Sequence, residues 1–158
     1  MSQPLTRIST LNLVLETPKG RGVFATALIP AGTVIDTAPV LLLSERDFDE
    51  HVTHTSLLHY SYNWPTPTDD GKSSVLRQAI VLGLGSMFNH SARRQNVGWK
   101  RNLEKQVVVY TALRDIAKGE ELLISYGPHL TFVDAEEAMW QRGREAESGE
   151  DFLGGIEV

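Results

Sequence analysis

The 158 residues contain no cysteine. That absence removes a disulfide framework, a thiolate zinc site and a cysteine nucleophile together. Long apolar runs are also missing: no stretch approaches the ~18 residues that a membrane-spanning helix requires, and residues 1–10 lack a basic-then-apolar leader. An intracellular protein is the expectation. Nor is there an excess of basic charge, with 15 Lys and Arg against 20 Asp and Glu and a formal net charge of −5. Nucleic-acid binding displaces counterions with clustered Lys and Arg, so direct binding of DNA or RNA is not expected. A mildly acidic surface suits a basic protein partner, and suits an ordinary solvated surface equally well.

What remains, at 41% hydrophobic and 22% charged, is the composition of one folded domain with a buried core. In the first third, short apolar runs at 11–15, 23–25, 34–35 and 40–43 alternate with Pro18-Lys19-Gly20 and Pro30-Ala31-Gly32. Short strands punctuated by Gly and Pro predict a meandering β region, which disfavours a doubly wound nucleotide-binding fold. Residues 107–110 and 121–125 repeat the pattern. Helix is sparser. Ser44-Glu45-Arg46-Asp47 has the form of a capped helix start, 74–84 is apolar with no decisive period, and 134–144 predicts a helix followed by an acidic, fraying end. Residues 66–74 compose an exposed loop.

Three separated stretches carry the chemistry: Lys19-Gly20-Arg21-Gly22-Val23-Phe24-Ala25, Phe88-Asn89-His90-Ser91, and Gly119-Glu120-Glu121-Leu122-Leu123-Ile124-Ser125-Tyr126-Gly127. Glycines at 20 and 22 let a ligand approach backbone where a Cβ would collide, although the same pair suits any tight turn between strands. Asn89 and His90 follow apolar Met87-Phe88, so their polar groups need partners once buried, whether those belong to a core or to a ligand. Tyr126 stands just beyond a short buried strand, where loops build sites. Tyr60, Tyr62 and Trp64 recur at i, i+2 and i+4 and would share one face of a strand, as a channel wall or as an aromatic core stripe.

In this order and at these distances, the three stretches resemble the SET-domain protein-lysine methyltransferases over residues 11–127. The context Gly83-Leu84-Gly85-Ser86-Met87-Phe88-Asn89-His90 is similar to small stand-alone fungal SET proteins that act on histone H3. The resemblance implies a mainly β fold of several short sheets with a knot-like threaded segment, short helices and a C-terminal helical segment. It divides the chain into an N-terminal strand or extension at 1–10, the SET domain at 11–127, and a partly helical segment with an acidic flexible end at 128–158. S-adenosylmethionine is the implied donor, S-adenosylhomocysteine the product, and a basic protein, the histone H3 tail, the substrate. Cofactor contacts would fall on Lys19, Gly20, Arg21, Gly22, Phe88, Asn89, His90 and Tyr126. Trp140 or Phe132 would cover the cofactor in place of the cysteine-rich zinc segment that many relatives use, and no metal is expected. The catalytic candidates are Tyr126, Tyr62 and Tyr60. A homodimer resident in the nucleus, and also in the cytoplasm, completes the expectation. The alternatives are an inactive SET-fold chromatin-binding module and a methyltransferase of a nonhistone protein.

One departure stands out. The family continues from its histidine as Ser-x-x-Pro-Asn, whereas Ser91-Ala92-Arg93-Arg94-Gln95-Asn96 is one residue longer and lacks the proline. The role of Asn96 is therefore open, and Arg93 and Arg94 are expected to face solvent. The chemistry itself asks for positioning. Methyl transfer from a sulfonium needs lysine as a neutral amine, and at about pH 7.4 a lysine of pKa ~10.4 costs roughly 4 kcal/mol to deprotonate. An aromatic channel beside a cationic sulfonium lowers that cost by desolvation and like-charge repulsion, so no dedicated base is required.

Overall fold

The N-terminal third folds as its turn residues dictate. β1 (Leu11–Thr17) and β2 (Gly20–Ala25) form an antiparallel hairpin, from Leu11 opposite Ala25 to Thr17 opposite Gly20. Pro18 and Lys19 make the turn, and Gly20 takes φ +86°, a left-handed conformation that costs little without a Cβ. The computed structural model describes residues 2–68 and 70–126. The chain divides into two compact units, Met1–Ser125 and Tyr126–Val158, and every regular element among the described residues lies in the first.

β3 (Val34–Leu42) joins the apolar runs at 34–35 and 40–43 into one nine-residue strand. Its middle, Asp36 to Pro39, is kept extended by antiparallel pairing with the strand near residue 110. Pro39 has no N–H to give, yet its carbonyl still accepts from Leu82 N at 2.9 Å. Helix α1 (Glu45–Glu50) follows, capped by Ser44, whose Oγ accepts from Asp47 N at 3.0 Å. None of its residues is buried, so it rides on the surface. Two short 3-10 turns, Val52–His54 and Ser56–Tyr60, lead into β4 (Ser61–Pro67).

The ambiguous stretch at 74–84 resolves as β5 (Ser74–Val81) and a 3-10 turn, Leu84–Met87. Antiparallel partners on both sides, β4 along its length and β3 at its end, decide the matter in favour of strand. β6 (Asn89–His90) comes next, then β7 (Val97–Asn102), β8 (Val107–Ala112) and β9 (Leu123–Ile124). The main sheet runs β4-β5-β3-β8-β7. Its core includes Ile35, Ala38, Trp64, Ala79, Val108 and Tyr110, each at most 2% exposed. Each fully buried large side chain contributes about 1.5–3 kcal/mol.

A third, two-stranded sheet pairs β6 with β9 in parallel, Asn89 opposite Leu123 and His90 opposite Ile124. The loop after β6 then returns to the other edge of β9: Asn96 N donates to Leu123 O at 3.1 Å, and Leu123 N donates to Asn96 Oδ1 at 2.8 Å. β9 is thus gripped from both sides by one continuous segment, residues 89–96. This mainly β arrangement of small sheets and short helices is the expected SET-type fold.

Candidate active site

The polar half of the site is assembled by the β1–β2 turn, β6 and the approach to β9. Gly22 is buried, and a Cβ placed on it would lie 2.5 Å from Glu121 Oε1 and 3.1 Å from Asn89 Nδ2. A side chain at this position would have to push aside the ends of the Glu121 and Asn89 side chains, so the glycine keeps that approach open. Asn89 Nδ2 donates to Arg21 O at 2.8 Å and to Glu121 Oε1 at 2.7 Å. Its amide plane is fixed by the two bonds. Lys19 reaches across, and its Nζ donates to His90 O at 3.0 Å.

Behind this face, Asn96 is fully buried and its carboxamide is used on both ends. Nδ2 donates to Glu120 Oε1 at 3.0 Å and to Glu121 O at 2.8 Å, while Oδ1 accepts from Leu123 N. The adjacent carboxylates of Glu120 and Glu121 thus each hold one of the two asparagines. Arg114 Nη2 bonds Glu120 Oε1 at 2.5 Å, and that guanidinium, with Ala117 N and Asn96, lowers the Glu120 pKa to about 2.

The aromatic half is built from β4, β7, β8 and the 3-10 turn at 84–87. Tyr62 OH donates to Gly85 O at 3.1 Å and accepts from Tyr110 OH at 3.3 Å. Burial pushes the Tyr62 phenol up, while the Tyr110 hydrogen bond and the charge of Arg101 pull partly back. The Trp99 ring meets Tyr62 edge-on with centroids 5.4 Å apart, and Phe88 meets Tyr110 edge-on at 5.2 Å. Trp99 Nε1 donates to Ser125 O at 3.0 Å, the residue before Tyr126. Arg101 lies over the Trp99 ring at 4.5 Å, and its buried Nε has no hydrogen-bond partner among the described residues. Gly85 is needed here because the Tyr110 ring occupies the place of its Cβ.

Residues 20–127 match the family model described as the SET domain. The chain belongs to the SET-domain family. It is 45% identical over 134 residues to a Schizosaccharomyces pombe histone-lysine N-methyltransferase, H3 lysine-37 specific, an alignment covering 85% of this chain and 84% of that protein. Two solved structures share the fold. The Neurospora SET-domain protein DIM-5, a histone lysine methyltransferase, superposes with TM-score 0.56 at 18% identity over 78% of this chain and 54% of that one. CpSET8 from Cryptosporidium does so with TM-score 0.55 at 22% identity over 77% and 59%.

On the SET scaffold the sequence candidates fall into groups. Lys19, Gly20, Arg21, Gly22, Asn89 and His90 come together in the polar half. Phe88 is fully buried with its ring on Tyr110, between the two halves. Tyr60 ends a 3-10 turn instead of opening the strand, and its hydroxyl takes Arg21 Nη2 at 3.3 Å. Only Tyr62 and Trp64 of the aromatic triplet therefore share a strand face, and Trp64 is buried in the core. Tyr126 is the first residue of the second unit, and Phe132 and Trp140 lie outside the described residues. Arg93 and Arg94 face solvent, as expected.

Sequence reasoning missed Glu121, Trp99 and Arg101, and left Asn96 open. A signal for the first was available: two carboxylates follow Gly119, and two asparagines flank the loop after Phe88. Among the described residues no group of three or more His, Asp or Glu could hold a metal ion, and no helix is long and apolar enough to cross a membrane.

Proposed function

We propose that this chain transfers a methyl group from S-adenosylmethionine to a lysine of histone H3, in the region around the lysine 37 for which its Schizosaccharomyces pombe relative is named. The observation that carries the reading is the convergence of Gly22, Asn89 and Glu121 on one polar face. That face suits the cofactor's amino-acid end. Gly20 has nothing within 4 Å of where its Cβ would be, and Asn89 and the Glu121 carboxylate supply an amide and a negative charge for a cationic amine.

Bound there, the cofactor supplies an electrophilic methyl group on a sulfonium. The chain's own residues do the rest by holding and excluding. Glu121 and Arg21 O fix the Asn89 amide, so that it meets a ligand without reorganising. Tyr62 and Trp99 form an apolar wall in which a lysine loses hydration, and Arg101 sets a positive charge behind that wall. Both effects disfavour the ammonium form. Tyr126, the last residue before the closing glycine of the Gly119–Gly127 stretch, is given the role that the resemblance implies, a hydroxyl that orients the neutral amine. The domain division at 1–10, 11–127 and 128–158, and residence in the nucleus, belong to the same reading. Exposed Leu13, Val14 and Leu15 on β1 support self-association into a homodimer.

The test is mass spectrometry of histone H3 incubated with the chain and S-adenosylmethionine. One or more methyl increments on a lysine at or near position 37 are expected. Tyr126→Phe should keep cofactor affinity within about threefold while turnover falls by about a hundredfold. Cofactor binding with no methyl gain on any lysine would turn the protein into a binding module.

A further inference from the structure

Asp36 sits in β3 with 2% of its surface exposed, outside every motif named above. A buried carboxylate is tolerated only where partners replace water. Here both oxygens are used. Arg7 Nε donates to Oδ1 at 3.2 Å and Arg7 Nη2 to Oδ2 at 3.4 Å, while Leu84 N donates to Oδ2 at 3.1 Å. Arg7 belongs to an N-terminal arm that precedes the matched residues 20–127 and pairs with β3: Thr37 N donates to Thr6 O at 2.7 Å and Ile8 N to Ile35 O at 3.0 Å.

Leu84 opens the 3-10 turn whose Gly85 carbonyl accepts the Tyr62 hydroxyl. Gly83, just before it, is pressed so closely to β3 that a Cβ would lie 2.5 Å from Ala38 Cβ and 2.9 Å from Asp36 Oδ2. A continuous path therefore runs from Arg7 through Asp36 and Leu84 N to Gly85 O and the phenol of Tyr62. The polar half has no share in it, because Asn89 is held by Glu121 and Arg21 O, and fully buried Phe88 anchors the chain in between.

We propose that Asp36, clamped by Arg7, is a positioning residue for methyl transfer: it holds the turn at 84–87 so that Gly85 O fixes the Tyr62 hydroxyl. The N-terminal arm is then a working part of the transferase, although it lies outside the matched domain. The inference rests on the proposed reaction only for its kinetic readout. Loss of Arg7 leaves the Asp36 carboxylate short of its compensating charge, which loosens its hold on Leu84 N. A displacement of about 1 Å at an aligning group lowers turnover by up to about a hundredfold, while groups elsewhere keep their affinity.

The experiment compares the full chain with Asp36→Asn, Arg7→Gln and Arg7→Lys. Arg7 is half-exposed, so its variants test the idea even where Asp36→Asn fails to fold. Cofactor affinity by titration calorimetry should stay within about twofold, kcat on histone H3 should fall by about tenfold or more in Arg7→Gln, and Arg7→Lys should recover part of it. Amide exchange at Leu84, read by NMR without substrate, should quicken in Arg7→Gln. That readout keeps the inference separate from the proposed reaction, whose own failure would show as an inactive wild type. A folded Arg7→Gln with unchanged kcat and unchanged Leu84 exchange overturns the proposal. So does a loss of cofactor affinity equal to the loss of kcat, which would mark a purely structural role.

Discussion

The two halves of the site are built by different physics. On the polar side, Asn89 is held by short hydrogen bonds to Arg21 O and Glu121, and Gly22 lies close against both side chains. On the aromatic side, Tyr62, Trp99, Tyr110 and Phe88 meet edge to face, with few polar bonds among them. Directional bonds fix a rigid cradle, which suits recognition of a zwitterionic ligand. Ring contacts set a dielectric and a shape, which suits taking water away from an amine. The difference teaches that affinity for cofactor and competence for transfer should be separable by mutation.

The largest expected effect breaks the polar half from behind. Asn96→Ala removes the three side-chain hydrogen bonds of a fully buried residue and orphans Leu123 N, so unfolding in urea should show a loss of about 3 kcal/mol. Next, Gly22→Ala drives a methyl group against Glu121 and Asn89. Cofactor affinity measured by calorimetry should weaken by about tenfold, equivalent to ~1.4 kcal/mol, with the unfolding midpoint nearly unchanged. A Gly22→Ala protein that binds cofactor like the wild type would show that the cradle is not there.

The smallest effect sharpens the comparison through pH. The carboxyl of Glu120 has its pKa lowered from 4.5 to about 2 by Arg114 and its other donors. A carboxylate with a depressed folded pKa adds stability that is fully present above its unfolded value and lost as pH falls through the folded one. Glu120→Gln should therefore be less stable than wild type above pH 4.5, and the gap should close as pH drops toward 2. The half-exposed Arg114 keeps this gap below that of Asn96→Ala. Thermal unfolding of both proteins across that pH window checks it, and a gap independent of pH would contradict it.

Most residues of the polar half stand in contiguous motifs of the sequence, whereas of the aromatic half the sequence pointed to Tyr62 and Phe88 but not to Trp99, Tyr110 or Arg101. Gly20-Arg21-Gly22 and Phe88-Asn89-His90 are contiguous, and strand pairing carries each run into place as a unit. Tyr62, Trp99, Tyr110 and Gly85 come from four separated segments, so no local spacing announces that they touch. Tyr60 shows the limit of period-two reasoning, because the 3-10 turn at 56–60 ends just before the strand and turns it toward Arg21. Likewise β5 carries no decisive period of its own, and its partners on both edges fix it as strand. The extra residue and the missing proline leave the role of Asn96 open in the sequence, yet this loop delivers it to β9, where Leu123 N donates to its carboxamide and its own amide donates to Leu123 O.

The most direct trial of the division is to measure cofactor affinity and single-turnover methyl transfer at saturating cofactor on the same two variants, Asn89→Ala and Tyr62→Phe. The predicted result is a crossing: Asn89→Ala loses affinity by tenfold or more, about 1.4 kcal/mol, whereas Tyr62→Phe keeps its affinity and loses transfer rate. Equal losses of both quantities in both variants would contradict a site made of two separable halves.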